Sequence, residues 1–236
     1  MAKTCKERVE SIDGLNTYRD IVSIIETWSG LRYPDPTDYA DKLDGDLAGL
    51  KKASAALHPD TTTYGQIQHD LADAKSNYQL DEYWKGEASE QFTDGFLVSL
   101  NKALKKLDDA RETQRKIVDT VHTNMEEKQQ NIVDKTEAMV PAVILGAAGV
   151  GLAVLAGIAL GTVTAGVGAA ATTTAAIGGL VIYLNDSHET LQGHCTAFSK
   201  TLGENKGTLE ELGETPLPEV NLRNVTRASW EVGSGG

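Results

Sequence analysis

The sequence is poor in aromatic and sulfur-containing residues and rich in acidic ones. Its 236 residues include two cysteines, three tryptophans and three phenylalanines, and aromatic residues make up 6% of the chain. A compact core built on aromatic packing is therefore not expected, whereas Ala, Leu and Val packing along helices suits a chain that is 40% apolar. The formal net charge of -12 argues against nucleic acid as a partner, because that binding draws on clustered Lys and Arg.

The two cysteines and the N-terminus carry no recognisable signal. Cys5 and Cys195 lie far apart in sequence, which gives neither a zinc-binding spacing nor a disulfide framework. We interpret both as ordinary thiols, and a bridge between them stays open. The first residues, MAKTCKERVES, have charges but no apolar stretch behind them, so we expect no cleavable secretory signal there.

Patterns that indicate catalysis or cofactor binding are also missing. Gly149-Val150-Gly151 is not followed by the Gly-Lys-Ser/Thr of a phosphate-binding loop. Asp186, Ser187 and His188 have the residue types of a hydrolytic triad, but neighbours on a helix point in different directions. His188 also lies too far along the helix from His194 and Cys195 to share a metal with them. We predict no enzyme activity, no cofactor and no metal.

What the sequence does contain is a long apolar run. Residues 138–185 include no Asp, Glu, Lys, Arg or His. One helical crossing of a bilayer takes about 20 apolar residues, so the run is long enough for two crossings or for one deeply buried hairpin. We predict an apolar hairpin over 140–184, with its bend in the small, hydroxylated stretch 162–174. The residues predicted to carry membrane insertion are Val140, Ile144, Leu152, Leu155, Gly157, Ile158, Gly161, Ile177, Leu180 and Ile182.

The N-terminal part of the chain has helical periodicity with two interruptions. Apolar residues at mostly helical spacing predict a first helix over 5–27. Two prolines at positions 34 and 36 predict a linker, and Thr37 or Asp38 is expected to cap the next helix. A single stripe from Tyr39 to Leu57 and a further pattern over 64–83 predict the helices that follow.

A helix-turn corner is predicted at residues 84–92. Trp84 and Gly86, followed by Ala88 and Phe92, stand between two long helical patterns, and a glycine at such a corner tolerates a positive φ. This segment resembles the WxG helical-hairpin family exported by type VII (ESX) secretion, over roughly residues 38–139. The resemblance implies a helical hairpin and a secreted protein.

Two amphipathic rods are expected on either side of the apolar run. After the corner no glycine or proline falls between Gly95 and Pro141, which at about 1.5 Å per residue predicts a rod of roughly 65 Å. A second repeat beyond the run, with His188 in a polar slot, predicts a returning helix that packs antiparallel on the first. The residues predicted to pack the rods are Leu100, Leu107, Ile117, Val121, Leu191, Phe198 and Leu202.

The predicted fold class is all-α, an elongated antiparallel helical bundle or coiled coil with a long apolar helical hairpin. The predicted segments are an N-terminal helix (1–30), a linker (31–37), the WxG-like hairpin (38–139), the apolar membrane-active hairpin (140–184), a returning helix (185–213) and a flexible tail (214–236).

The layout of rod, apolar hairpin and rod is similar to that of helical pore-forming toxins of the haemolysin E and tripartite enterotoxin type. This similarity implies a protein, secreted or membrane-associated, that inserts its hairpin into a lipid membrane. We expect it to act as a homo-oligomer or with a helical partner protein. Two alternatives remain. The run could anchor a helical adaptor or secretion component constitutively, or it could form the buried core of a soluble helical interaction protein.

Overall fold

The computed structural model describes residues 3–58, 66–67, 69–70, 91–151 and 167–216. Throughout these ranges the regular structure is helical and no strand occurs. The predicted all-α fold class is confirmed. The helices with assigned bounds are α1 (Cys5–Glu10), α2 (Leu15–Ser29), α3 (Pro36–Lys42), α4 (Leu47–Ala56), a π-helical segment (Gln91–Leu97), α5 (Val98–Val150) and α6 (Val167–Glu214).

The chain divides into two compact units, each made of two separate parts of the sequence. The first unit comprises Met1–Leu47 and His122–Gly203, and the second comprises Ala48–Val121 and Glu204–Gly236. Both long helices therefore contribute to both units.

The single helix predicted over 5–27 is wrong, because the chain forms two helices there. Thr4 and Glu7 make a reciprocal capping box that starts α1. Gly14 stands between the helices with a φ of 84°, a conformation that glycine adopts without strain. A Cβ atom at Gly14 would lie 2.9 Å from Ile144 Cδ1, so the turn also needs a residue without a side chain.

The start of α3 also differs from the prediction. Asp35, and not Thr37 or Asp38, is the N-cap, and its carboxylate accepts a hydrogen bond from the Thr37 N–H at 2.9 Å. Pro36 occupies the first turn, where its missing N–H costs nothing. The stripe over 39–57 is likewise split, since α3 ends at Lys42 and α4 begins only at Leu47.

Each long helix continues across a boundary between two of the predicted segments. α5 continues beyond Pro141 to Val150, where Gly151, with φ 81°, donates its N–H to the carbonyls of Ala147 and Ala148. The helical arm predicted to reach Gly161 therefore has a helix end at Val150, and residues 152–166 lie outside the described ranges. α6 runs unbroken from Val167 to Glu214, so residues 167–174 are helical and the prediction of a bend there is wrong.

Within the first unit, α5 and α6 are antiparallel. Lys135 Nζ lies 5.9 Å from the centre of the Tyr183 ring. Further towards the apolar run, a Cβ atom at Gly146 would come within 2.6 Å of Leu180 Cδ2, so the two helices approach closely there. Lys135 and Gly146 lie on either side of Pro141 in α5, and their partners Tyr183 and Leu180 lie one turn apart in α6. The partners follow in the opposite order along the two helices, so the helices are antiparallel.

Residues 5–43, which we call the N-terminal cover, pack on this helix pair. Two of its helices, α1 and α2, are anchored at separate points along α5. Cys5 and Arg8 contact the Gln129–Gln130 turn, and Tyr18 contacts Met139. The buried apolar residues in the described part of the first unit are Cys5, Val9, Leu15, Tyr18, Ile21, Val22, Ile25, Tyr39, Ala40, Leu43, Met125, Ile132, Val133, Met139, Val140, Val143, Ala147, Ile177, Leu180, Leu184, Leu191, Cys195 and Phe198.

The second unit has a sparser interior in its described part. Ala103, Leu104 and Ile117 are its buried apolar residues there. α4 is tied to α5 by a hydrogen bond of 2.5 Å from Ser54 Oγ to Asp119 Oδ1. The surface of α5 here carries ion pairs between neighbouring turns, such as those of Arg115 with Glu112 and Asp119.

Candidate functional site

The polar centre of the first unit lies around His188 on α6. The buried face of that helix follows a spacing of four and three residues, through Leu184, His188, Leu191, Cys195 and Phe198. His188 occupies one of these core positions and is only 6% exposed. A buried imidazole needs hydrogen-bond partners, because an unsatisfied polar group in the core is costly.

Three tyrosines from three different parts of the N-terminal cover surround the imidazole. The Tyr18 hydroxyl, from α2, lies 3.2 Å from His188 Nε2. The Tyr39 hydroxyl, from α3, lies 3.3 Å from Nδ1. The Tyr33 ring, from the connection between those helices, stacks on the imidazole with centroids 5.2 Å apart. His188 is therefore the side chain at which α2, α3 and their connection all meet α6.

Two carboxylates hold the connection that carries Tyr33. Glu26 Oε1 accepts the Tyr33 N–H at 2.7 Å. Asp35 is paired with the Arg19 guanidinium, with an Nε to Oδ2 distance of 2.5 Å, and it also caps α3. These contacts hold the connection at Tyr33 and at Asp35, and so they fix the position of the Tyr33 ring against His188.

Burial in the cluster favours the neutral forms of His188, Tyr18 and Tyr39. Burial lowers the pKa of His188 below its usual value, although Asp35 and Glu26 oppose this shift. Burial raises the pKa of Tyr18 and Tyr39. Burial would also raise the pKa of Asp35, but hydrogen bonds from Arg19 and Thr37 outweigh it and hold that pKa below its ordinary value.

A cleft of about 690 Å³ opens beside this cluster. Its wall is one face of α6, and Tyr33, Tyr39 and His188 form its aromatic side. The Tyr33 hydroxyl is buried and has no hydrogen-bond partner among the described residues, and the same holds for the Ser187 hydroxyl. The remaining lining residues are Arg32, Pro34, Asn185, Glu189, Gln192, Gly193, Thr196, Ala197 and Lys200.

Both cysteines are buried free thiols on facing elements of the first unit. Cys5 donates its S–H to the Gln129 carbonyl at 3.8 Å, and Cys195 donates to the Tyr39 carbonyl at 3.6 Å. Burial raises the pKa of Cys5 to about 11 and raises that of Cys195 as well. Since the thiolate is the reactive form, the folded protein protects both residues from thiol reagents.

The described ends of the apolar run lie partly under the N-terminal cover. Of the predicted membrane residues, Val140, Ile177 and Leu180 are buried and Ile144 is half-buried. By contrast Ile182, together with the neighbouring Leu145, is more than two-thirds exposed, at 71% and 72%. The other predicted membrane residues, Leu152, Leu155, Gly157, Ile158 and Gly161, lie outside the described ranges.

The other predicted site residues have mixed positions. Trp84, Gly86 and Ala88 lie outside the described ranges, while Phe92 falls in the π-helical segment and stacks on Phe96 with centroids 5.5 Å apart. Among the predicted rod residues, Ile117, Leu191 and Phe198 are buried, and Leu100, Leu107 and Val121 are half-buried. Leu202 is 41% exposed, so its assignment to a packed position is wrong.

The described ranges show neither a metal-binding cluster nor a helix suited to crossing a membrane. Within the described ranges no group of three or more His, Cys, Asp or Glu side chains is placed to hold a metal ion. In the same part of the chain, no helix combines the length and the hydropathy that crossing a membrane requires.

Sequence reasoning missed the tyrosine cluster, although a signal was present. His188 interrupts an otherwise apolar stripe, and a buried histidine implies partners elsewhere in the chain. Those partners come from residues 18–39, whose approach to α6 no local pattern reveals.

Comparisons of the chain with protein-family models, curated proteins and solved structures give no match.

Proposed function

We propose that the protein inserts its apolar run into a target membrane and permeabilises that membrane as an oligomer. The observation that carries the proposal is the absence of Asp, Glu, Lys, Arg and His over 138–185, in a chain with a net charge of -12. One charged side chain at the bilayer centre costs about 2.5–3.5 kcal/mol. A charge-free run long enough for two crossings is therefore suited to lipid.

The antiparallel arrangement of α5 and α6 supports insertion as a hairpin. The helix that enters the run and the helix that leaves it lie side by side, with Lys135 against Tyr183 and Gly146 against Leu180. Both ends of the segment 152–166 thus connect to one helix pair. A hairpin delivered in this way enters a bilayer from one side and requires no charged end to cross.

The exposed aliphatic side chains in the described ends of the run support a first contact with lipid. Leu145 on α5 and Ile182 on α6 project into solvent close to where Gly146 meets Leu180. Each large aliphatic side chain gains about 1.5–3 kcal/mol when it is fully buried. Together they give this end of the helix pair an apolar surface before any rearrangement takes place.

The N-terminal cover supports a sheltered form in water. The Gly14 turn lies against Ile144 and Val140, so the cover buries the base of the proposed hairpin. Lipid insertion would exchange these contacts for lipid contacts.

Export by a type VII-type pathway is proposed on the resemblance of Trp84, Gly86, Ala88 and Phe92 to the WxG pattern. It would place the protein outside the producing cell, where a target membrane is accessible.

The experiment that tests the function is dye release from lipid vesicles. Protein purified without detergent is added to calcein-loaded vesicles of phosphatidylcholine and phosphatidylglycerol. Soluble protein that binds the vesicles and releases dye supports insertion. Protein recovered only in membrane fractions favours a constitutive anchor, and soluble protein that ignores the vesicles favours a helical bundle with a permanently buried run.

Charged substitutions in the run separate insertion from other causes of leakage. Leu155→Asp and Gly157→Arg should abolish dye release, because each places a charge at bilayer depth. Leu209→Asp is the matched control, since Leu209 is 42% exposed on α6 outside the run. Unchanged leakage in the Leu155 and Gly157 variants would remove the run from the mechanism.

A further inference from the structure

His188 is the place where the N-terminal cover is fastened to α6. Its two ring nitrogens contact the hydroxyls of Tyr18 and Tyr39, and its ring face contacts Tyr33. The three tyrosines come from α2, from the connection and from α3, so every part of the cover after α1 has a contact with this one imidazole. A change in His188 acts on all of them together.

The hydrogen-bond pattern around the imidazole fits its neutral form. The Tyr18 hydroxyl donates to Met139 Sδ at 3.7 Å, so its oxygen is free to accept a hydrogen bond from His188 Nε2–H. Nδ1 then accepts the proton of the Tyr39 hydroxyl. A second proton on Nδ1 would remove the acceptor of the Tyr39 hydroxyl and would place a full charge in a nearly solvent-free site.

The two carboxylates whose charges act on the His188 pKa already have other partners. Glu26 already accepts the Tyr33 N–H and pairs with Arg32, and Asp35 pairs with Arg19 and caps α3. α5 contributes the uncharged Met139 through Tyr18. The titratable or charged groups that face the cluster are Tyr18 and Glu26 on α2, Arg32, Tyr33 and Asp35 in the connection, Asp38, Tyr39 and Lys42 on α3, and Glu189, Cys195 and Lys200 on α6.

We propose that His188 is an acid-sensitive latch, a side chain that holds the N-terminal cover on α6 while its imidazole is neutral. Protonation of its imidazole releases the N-terminal cover from α6 and uncovers Val140 and Ile144 at the base of the apolar run. The release itself is a property of the first unit, and its consequence for membranes rests on the proposed function.

The direction of the pH dependence follows from burial. The pKa of His188 is lower in the covered state than in an open state in which the imidazole is hydrated. Above the open-state pKa, near 6.5, both states are neutral and the cover holds fully. As the pH falls below that value the open state binds a proton first, so the covered state loses stability until its own, lower pKa is reached.

The test uses the two native thiols as reporters of the cover. Cys5 lies on α1 inside the cover, and Cys195 lies beneath Tyr39. Dithiodipyridine, which reacts with thiols in mild acid, is added to the full chain between pH 7.5 and 5.0 without lipid. The labelling rate is divided by that of the urea-unfolded chain at the same pH. We expect it to rise below pH 6.5, by up to about tenfold for each unit by which the two pKa values differ.

Three variants assign the effect to His188. His188→Gln keeps one donor and one acceptor but does not titrate, so its relative labelling rate should be flat with pH. If His188→Gln fails to fold, Tyr39→Phe serves instead. It removes the donor to Nδ1, which brings the covered-state pKa of His188 closer to its open-state value, so the rise below pH 6.5 should be smaller than in the parent. His194→Gln is the control on the same helix, since His194 faces Glu127, Lys128 and Lys135 instead of the tyrosines, and its variant should behave as the parent.

Dye release from the same vesicles, measured at pH 7.5 and 5.0, separates this proposal from the function. Labelling that rises in acid without any leakage supports the latch and overturns insertion. Leakage at both pH values with thiols protected throughout overturns the latch and leaves insertion standing. A rise in labelling that persists in His188→Gln, or that vanishes in His194→Gln, also overturns the assignment to His188.

Discussion

The two compact units are built partly from the same two helices, yet they hold those helices by different means. In the first unit, α5 and α6 bury a continuous apolar interior that includes Ile132, Val143, Leu184 and Leu191. In the described part of the second unit, α5 buries little more than Ala103, Leu104 and Ile117, and it carries ion pairs along its surface.

The difference between the units shows how much the N-terminal cover contributes to the buried interior of the first unit. Burial of an aliphatic side chain stabilises by about 1.5–3 kcal/mol, whereas a surface ion pair contributes little in water. We therefore expect the first unit to be the stable part of the molecule and α5 in the second unit to open more readily. Hydrogen exchange should be slower in residues 125–147 than in residues 99–121 of the same helix.

The largest expected effect comes from the core of the first unit. Leu184 on α6 is fully buried, and Leu184→Ala should lower the free energy of unfolding by about 2–5 kcal/mol through lost burial and a residual cavity. Urea unfolding followed by circular dichroism measures this. Leu209→Ala is the control, because Leu209 is exposed. Equal effects at the two sites would contradict the contrast between the units.

The next effect concerns the connection that carries Tyr33. Asp35 caps α3 and pairs with Arg19, so Asp35→Ala should cost about 0.5–2 kcal/mol, the usual range for loss of an N-cap. Asp35→Asn keeps the capping oxygen and should lose less. The melting temperatures of the two variants compare these losses. If the Asn variant is as unstable as the Ala variant, the stability comes from the ion pair with Arg19 and not from the cap.

The pH dependence of stability should distinguish neutral and acidic conditions. Burial lowers the pKa of both His188 and His194, so the unfolded chain binds protons first as the pH falls. Stability should be full above about pH 6.5 and should decrease below it. Asp35 adds a loss at lower pH, since its native pKa lies below its unfolded value. Urea midpoints between pH 7.5 and 5.0 test the histidine part, and an unchanged midpoint would refute it.

The smallest effect is expected in the second unit. Arg115 pairs with Glu112 and Asp119 on the surface of α5, where solvent and salt screen the charges. Arg115→Gln should leave the melting temperature close to that of the parent, and the small difference should shrink further in 0.5 M salt. A large loss of stability would show that ion pairs, and not apolar burial, hold this part of α5.

Several features of the fold were accessible from local pattern. The end of α6 at Glu214 lies one residue beyond the predicted end of the returning helix, and the apolar stripes of both long helices placed Ile117, Leu191 and Phe198 in the interior. The breaks at Gly14 and between Lys42 and Leu47 were missed, because a periodic stripe continues across a turn when the turn preserves its phase. Leu202 was misplaced because periodicity reports a face and does not report whether another helix covers it.

By itself, the sequence determined that the protein is all-α and that a charge-free segment separates two long helical patterns. Composition and spacing carry that information, since they act within one helix. Only the tertiary structure decided that residues 5–43 pack on the helix pair, that Tyr18, Tyr33 and Tyr39 converge on His188, and that Val140 is buried while Ile182 is exposed. Most of these contacts join residues more than a hundred positions apart, and no local preference specifies which distant faces meet.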